Sequence, residues 1–153
     1  MKYSIDTSSL IWAWRFAYPR ARFPSVWERL EGLIRNSELR ATPMVLAELE
    51  RGEDELYEWA GQQAGFFIDP DEDEQQAMRA IVRDFPGLIK YGEDRVNADP
   101  FVIALAMRHG LAVISQERPS GPGGKPMIPN VCAALGVRCL NILGLFEDCG
   151  WTF

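Results

Sequence analysis

Short apolar runs alternate along this chain with stretches whose apolar positions repeat every third or fourth residue, a pattern that predicts strands followed by helices. Lys2-Tyr3-Ser4-Ile5 ends at Asp6-Thr7-Ser8-Ser9, after which Leu10, Ile11 and Trp14 take up helical spacing, so the chain opens as strand, tight turn and helix. The turn-rich stretch from Tyr18 to Pro24 leads into a second helix, with Trp27, Leu30, Leu33 and Ile34 on one face and an end near Asn36. Leu39 to Thr42 reads as a strand, Met44 to Gln63 as one long helix, and Gly65 to Ile68 as another short strand. Asp69-Pro70 opens the next helix, with proline in the first turn and acids near the positive end of the dipole; Phe85-Pro86-Gly87 closes it. Asp99-Pro100 starts a helix that runs through Arg108 and stops at His109-Gly110, before the apolar strand Leu111 to Ile114. Beyond a Pro/Gly stretch from Arg118 to Pro126, expected to be a mobile surface loop, come a short helix including Val131 to Leu135, a strand from Val137 to Ile142 and a helix from Leu143 to Asp148.

Strands alternating with helices in 153 residues predict an α/β domain: a three-layer α/β/α sandwich with a mainly parallel central sheet, spanning residues 1–153. Such sheets place their sites at the carboxyl ends of strands, and both Asp6 and Glu117 fall just beyond a predicted strand. The hydrophobic fraction of 47% is enough to fill a core. No stretch approaches the roughly 20 apolar residues of a membrane span, and the first residues lack the basic-then-apolar form of a secretory leader, so the expected location is the cytoplasm.

Composition narrows the chemistry. Cys132, Cys139 and Cys149 are odd in number and form no C-x-x-C pair, which points to reduced thiols and away from a disulfide framework or a thiolate zinc site. A single histidine, His109, excludes histidine-ligated zinc, Ser-His-Asp triads and paired-histidine ribonuclease chemistry, leaving hydrolysis to carboxylates. The net charge of −6 is uneven: residues 1–47 carry seven Lys/Arg against four Asp/Glu, whereas residues 48–74 carry eleven acids against Arg51 alone. The basic front segment can face a phosphate backbone, while the overall acidity opposes tight, non-specific nucleic-acid binding.

Asp6 and Asp99 each sit where a helix N-cap would sit, the ordinary use of aspartate at such positions, and Glu48 in isolation reads as a solvated helix residue. Their surroundings say more. Tyr3-Ser4-Ile5-Asp6-Thr7-Ser8-Ser9-Leu10, Val45-Leu46-Ala47-Glu48-Leu49 and Asn97-Ala98-Asp99-Pro100-Phe101-Val102-Ile103-Ala104 resemble, in order and spacing, the PIN-domain family, and the resemblance spans nearly the whole chain. Within that family the chain is similar to an uncharacterised bacterial subgroup with a tail like Met127-Ile128-Pro129-Asn130-Val131-Cys132.

The resemblance implies a PIN-like fold and a metal-dependent endoribonuclease, with Asp6, Glu48 and Asp99 as ligands of Mg²⁺ or Mn²⁺ and RNA as substrate, giving 5′-phosphate and 3′-hydroxyl products. It also implies the toxin role in a bacterial toxin–antitoxin pair, with an antitoxin protein as partner. The family's fourth acid lies in a Ser/Thr-x-Asp string, where this chain has Ser115-Gln116-Glu117, so Glu117 is a fourth ligand and catalytic candidate whose longer side chain reaches a different point. Carboxylate oxygens suit such hard cations, which prefer octahedral oxygen ligands and keep several waters. Thr7 or Ser8 is expected to offer a hydroxyl to a metal-bound water, and Asn97 to orient Asp99.

Other signals weigh less. Asp69, Asp71 and Asp73 mimic a calcium loop, but Glu74 and Ala80 stand where glycine and glutamate belong, so an acidic helix start is the better reading. Gly121-Pro122-Gly123-Gly124-Lys125 lacks the first glycine of a phosphate loop and runs into Pro126, though Arg118 and Lys125 are placed to lie near RNA. Aromatics interleaved with arginines from Trp12 to Trp27 serve mostly helix packing; an exposed remainder around Trp12 and Trp14 would support a homodimer or an antitoxin contact. Two rival functions remain: a catalytically silent PIN-like RNA- or protein-binding module, and an aspartyl phosphatase, which Asp6-Thr7-Ser8 disfavours by lacking a second aspartate.

Overall fold

A computed structural model describes all residues of the chain except Glu53 and residues 93–95. In order, the elements are β1 (Tyr3–Ile5), α1 (Thr7–Trp12) running into a π-helical stretch (Ala13–Ala17), α2 (Pro24–Arg35), β2 (Leu39–Arg40), α3 (Pro43–Glu50), α4 (Glu55–Gly61) and α5 (Glu72–Asp84). A 3₁₀ turn (Pro86–Leu88), α6 (Asp99–His109), β3 (Ala112–Ile114), α7 (Ile128–Leu135), β4 (Cys139–Leu140) and α8 (Ile142–Asp148) follow. The four strands form an all-parallel sheet in the order β2-β1-β3-β4, with Tyr3 beside both Leu39 and Ala112 and Ile5 beside Ile114. The fold is the expected three-layer α/β sandwich. β1 and β3 are buried along their whole length, as strands covered on both faces must be.

From β1 the chain moves to β2 on one side, and the later strands build outward on the other. The β1/β3 boundary is therefore the place where the strand order reverses, and in sheets of this kind sites lie beyond the carboxyl ends at such a boundary. Among the described residues, no helix is long and apolar enough to cross a membrane.

Several element boundaries differ from expectation, each for a local reason. Met44 to Gln63 is two helices: Thr42 caps α3 and Asp54 caps α4, accepting from the Tyr57 N–H at 3.3 Å. Arg15 pairs with Asp54 at 2.7 Å across the break, and a Cβ at Gly52 would lie only 2.9 Å from that guanidinium. Gly65 to Ile68 contributes one parallel bridge, Ala41 to Phe67, instead of a strand: the Ala41 N–H donates to the Phe66 carbonyl at 2.9 Å and the Ile68 N–H to the Ala41 carbonyl at 3.0 Å. Helix α5 begins at Glu72 and not at Asp69-Pro70, since Asp71 is its cap and accepts from the Glu74 N–H at 2.8 Å. Asp71 also takes the Arg108 guanidinium at 2.9 Å, as suits an acidic helix start. Helix α7 begins at Ile128, with Pro129 in its first turn, and the last strand shrinks to two residues. The left-handed Gly110 stops α6 as expected.

The aromatic front segment is mostly core. Trp27 lies edge-on between Trp14, at 4.7 Å, and Trp59, at 4.9 Å, while Trp12 meets Tyr18. Trp12 and Trp14 are half-buried against the core, so the patch expected there narrows to Phe16, which is 72% exposed.

One buried acid stands apart from this apolar packing. Glu74, on α5, is 1% exposed, and its Oε2 has no hydrogen-bond partner among the described residues. Burial, followed by the negative charge of Asp71, pushes its carboxyl up to about 7, with Arg108 opposing. The folded state thus holds a proton that the unfolded chain releases, and this group's contribution to stability declines as pH rises from about 4.5 to about 7. Glu74→Gln should melt close to the wild type at about pH 5 and clearly above it at about pH 8. Thermal melts across that range check this, and a difference independent of pH would remove Glu74 as the cause.

Candidate active site

Asp6 follows the last residue of β1 and closes the β1/β3 boundary. Its N–H donates to the Ile114 carbonyl at 2.9 Å, extending the ladder, and its Oδ1 accepts the Ser9 N–H at 2.8 Å as the cap of α1. The capping expectation therefore holds, but it accounts for only one oxygen. Oδ2 accepts two hydroxyls, Ser8 Oγ at 2.7 Å and Ser115 Oγ at 2.6 Å. Each hydroxyl is oriented in turn by a backbone N–H from beyond β3: Gln116 donates to Ser8 Oγ and Glu117 to Ser115 Oγ, both at 3.2 Å. Asp6 is 1% exposed, and burial raises its pKa against the lowering effect of the bonds from Ser115, Ser8 and Ser9.

Glu48 is not a solvated helix residue. From α3 its Oε1 accepts the Thr7 hydroxyl at 3.0 Å and the Ala98 N–H at 3.2 Å, tying together the first turns of α1 and α6. Burial raises its pKa, opposed by those two bonds and by the Lys90 charge. Asp99 departs from the capping expectation: it is the first residue of α6, Ala98 occupies the cap position, and no side chain caps this helix. Helix α6 is anchored instead to the centre of the sheet, where Ser4 Oγ donates to the Val102 carbonyl at 2.9 Å. The Asp99 carboxyl is pushed up to about 7, first by burial and then by the charges of Glu117, Asp6 and Glu48, with Lys90 opposing the rise. Glu117 accepts the Ile128 N–H on Oε2 at 3.0 Å, at the start of α7, while its Oε1 lies 4.0 Å from Lys90 Nζ.

Four acids from four parts of the chain thus feel one another at the carboxyl edge of the sheet. Among the described residues, however, no three carboxylate, thiol or imidazole side chains close tightly enough to hold a metal ion directly between them. The expected helpers are placed differently from one another: Ser8 serves Asp6 and Thr7 serves Glu48. Asn97, expected to orient Asp99, instead uses its Oδ1 to accept the Lys90 N–H at 2.8 Å.

Three residues escaped sequence reasoning. Ser115 stands in the Ser-x-Glu string, where nothing local signals that its hydroxyl holds Asp6. Lys90, a lone lysine in a polar stretch, gave no signal. Asn130 organises the Pro/Gly loop expected to be mobile: its Oδ1 accepts the N–H groups of Ser120 at 2.9 Å and Met127 at 3.0 Å, and its Nδ2 donates to the Ser120 carbonyl at 3.1 Å.

A profile of the family described as domain of unknown function (DUF4411) matches residues 3–153. No curated protein matches the sequence. Among solved structures, a chain from the crystal structure of VapBC2 from Rickettsia felis, bound to a DNA fragment from their promoter, aligns with a TM-score of 0.53 at 17% identity. The alignment covers 92% of this chain and 98% of that one, and at such identity the likeness is one of fold. That fold is PIN-like, in agreement with the three acidic strings.

The burial and like charge that raise the Asp99 carboxyl have a measurable consequence. Because the folded-state pKa of Asp99 lies above its unfolded value, its contribution to stability falls as pH rises from about 4 to about 7. In chelator, Asp99→Asn should melt several degrees above the wild type at about pH 8 and level with it at about pH 4, given a shift of roughly 2–4 °C per kcal/mol for a chain of this size. A lower melting temperature at both pH values would show that Asp99 is a structural partner and not a strained acid.

Proposed function

This chain belongs to the DUF4411 family, and on that premise we propose that it is a metal-dependent endoribonuclease hydrolysing RNA phosphodiester bonds, the toxin of a bacterial toxin–antitoxin pair. The observation that carries the reading is the gathering of Asp6, Glu48, Asp99 and Glu117 at the β1/β3 carboxyl edge, with Asp99 pushed up to about 7 first by burial and then by the charges of the other three acids. Helix capping does not account for an acid held there, since Asp99 caps no helix.

The donor set fits a hard divalent cation, since every candidate ligand is a carboxylate oxygen. Because no three of these side chains close directly around one point, a cation held there would be Mg²⁺ or Mn²⁺ keeping part of its water shell, with some acids reaching it through water. Asp6, Glu48, Asp99 and Glu117 would hold such a cation, which would there supply an activated water and offset charge on the phosphate. The protein's part is positioning. Both described bonds to Glu48 fall on Oε1, so Oε2 is the oxygen left for a ligand. Ser8 and Ser115 donate to Asp6 Oδ2 and fix the plane of that carboxylate, while the single bond on Oδ1 leaves it a lone pair. Glu117 has one oxygen committed to α7 and the other near Lys90, so its share is the smallest. That same commitment favours the second reading, a catalytically silent PIN-like RNA- or protein-binding module.

In this proposal residues 1–153 act as one domain in the cytoplasm, and an antitoxin protein is the partner. The exposed Phe16 is a candidate contact for the antitoxin or for a homodimer.

Incubation of the purified protein with a mixed RNA pool should give cleavage with Mg²⁺ or Mn²⁺ and none in chelator. Asp6→Asn and Asp99→Asn should each fold and lose activity by about 100-fold or more, since even outer partners of a metal site are worth about 10–100-fold. Asparagine at residue 6 keeps an oxygen for the Ser9 N–H, so loss of the cap cannot explain the effect. Glu117→Gln should lose less. Undiminished cleavage in both asparagine variants would defeat the mechanism, and a wild type that binds RNA without cutting it would favour the silent module.

A further inference from the structure

We propose that Lys90 is the residue that binds the RNA phosphate backbone at the carboxylate centre. The inference rests on the ribonuclease reading and adds to it a cation set beside the cluster. A phosphodiester approaching Asp6, Glu48, Asp99 and Glu117 on a chain of net charge −6 meets like charge at close range, so productive binding needs a positive group beside the acids.

Lys90 occupies that place. Its Nζ lies 4.0 Å from Glu117 Oε1, and its charge draws down the carboxyls of both Glu48 and Asp99. At 4.0 Å the pair with Glu117 is longer than a hydrogen bond, and the lysine side chain is 44% exposed against 10% for the glutamate. The ammonium thus stands at the mouth of the cluster on a flexible stem, in a contact loose enough to exchange for a phosphate oxygen.

The backbone that carries it is fixed from two sides. The Lys90 N–H donates to Asn97 Oδ1 at 2.8 Å, two residues before Asp99, which ties this segment to the start of α6. On the other side Gly87 lies so close to the loop after β3 that a Cβ there would come within 2.9 Å of Pro126 Cδ and 4.0 Å of Lys125 Cγ. Lys125 and Arg118 of that loop are both exposed. The lysine therefore sits on clamped backbone between that loop and the helix bearing Asp99.

Binding of two unrelated single-stranded RNA oligonucleotides, followed by fluorescence anisotropy against salt in an Asp99→Asn background with Mg²⁺ present, tests the assignment. Lys90→Met should weaken both RNAs alike, by about 5-fold at 0.1 M salt, and reduce the slope of log affinity against log salt by about 0.7, the value for one single-strand phosphate contact. Lys90→Arg should restore most of the loss. In the otherwise wild-type protein, Lys90→Met should lower kcat/KM for cleavage. Unchanged affinity and slope in Lys90→Met, beside a wild type that cleaves RNA, would overturn the role of Lys90 and leave the ribonuclease reading standing. A lowered melting temperature with an unchanged salt slope would assign Lys90 to holding Glu117, which also overturns it. A wild type that neither binds nor cleaves RNA would overturn both.

Discussion

The two hydroxyl bonds to Asp6 Oδ2 are the joint on which the rest of the centre depends. A carboxylate withdrawn from water costs several kcal/mol unless its oxygens are bonded, and here the bonds come from both sides of the β1/β3 boundary. Because Ser8 and Ser115 are in turn aligned by the N–H groups of Gln116 and Glu117, the network that solvates Asp6 also sets the path of the chain leaving β3. Glu117 meets the start of α7 as a result of that path. Glu48 performs the corresponding task on the other side, bringing Thr7 and Ala98 to a single oxygen and so setting where Asp99 begins α6.

Two kinds of acid emerge from this arrangement. Asp6 and Glu48 are tied to donors that belong to the fold, and removing them would leave those donors without partners. Asp99 has no capping role, and what surrounds it is mostly burial and like charge. Local rules of structure explain the first two in part and fail at the third. Such failures are expected to concentrate where a protein holds strain for a purpose.

How much of this could be read from the chain depended on how local the cause was. Trp27, Leu30, Leu33 and Ile34 mark α2 because one face of a helix repeats at that spacing, and buried Tyr3, Ile5, Val113 and Ile114 mark strands covered on both sides. The break between α3 and α4 was hidden because the cause is tertiary: Arg15, far back in the chain, draws Asp54 into a capping position that apolar spacing does not reveal. In the candidate centre the strings around Asp6, Glu48, Asp99 and Glu117 draw attention to those acids, whereas nothing local marks Lys90, because its place is set by Asn97 and by the loop at Pro126. The expected partner of Asn97 is Asp99, and the bond found is to the Lys90 N–H. A single amide in a polar stretch carries no sign of which backbone it will hold.

The bonds that define the centre join positions far apart in the chain. Thr7 reaches Glu48 across 41 residues, Ala98 reaches Glu48 across 50, and Ser115 reaches Asp6 across 109. Closing such long loops is entropically costly, and parallel pairing of distant strands is slow for the same reason. During synthesis the acids of the first half emerge long before the serine that completes the Asp6 network, so a growing polypeptide carries the components of the centre without their arrangement. Whatever chemistry the centre performs is withheld until the third strand has left the ribosome and found the first.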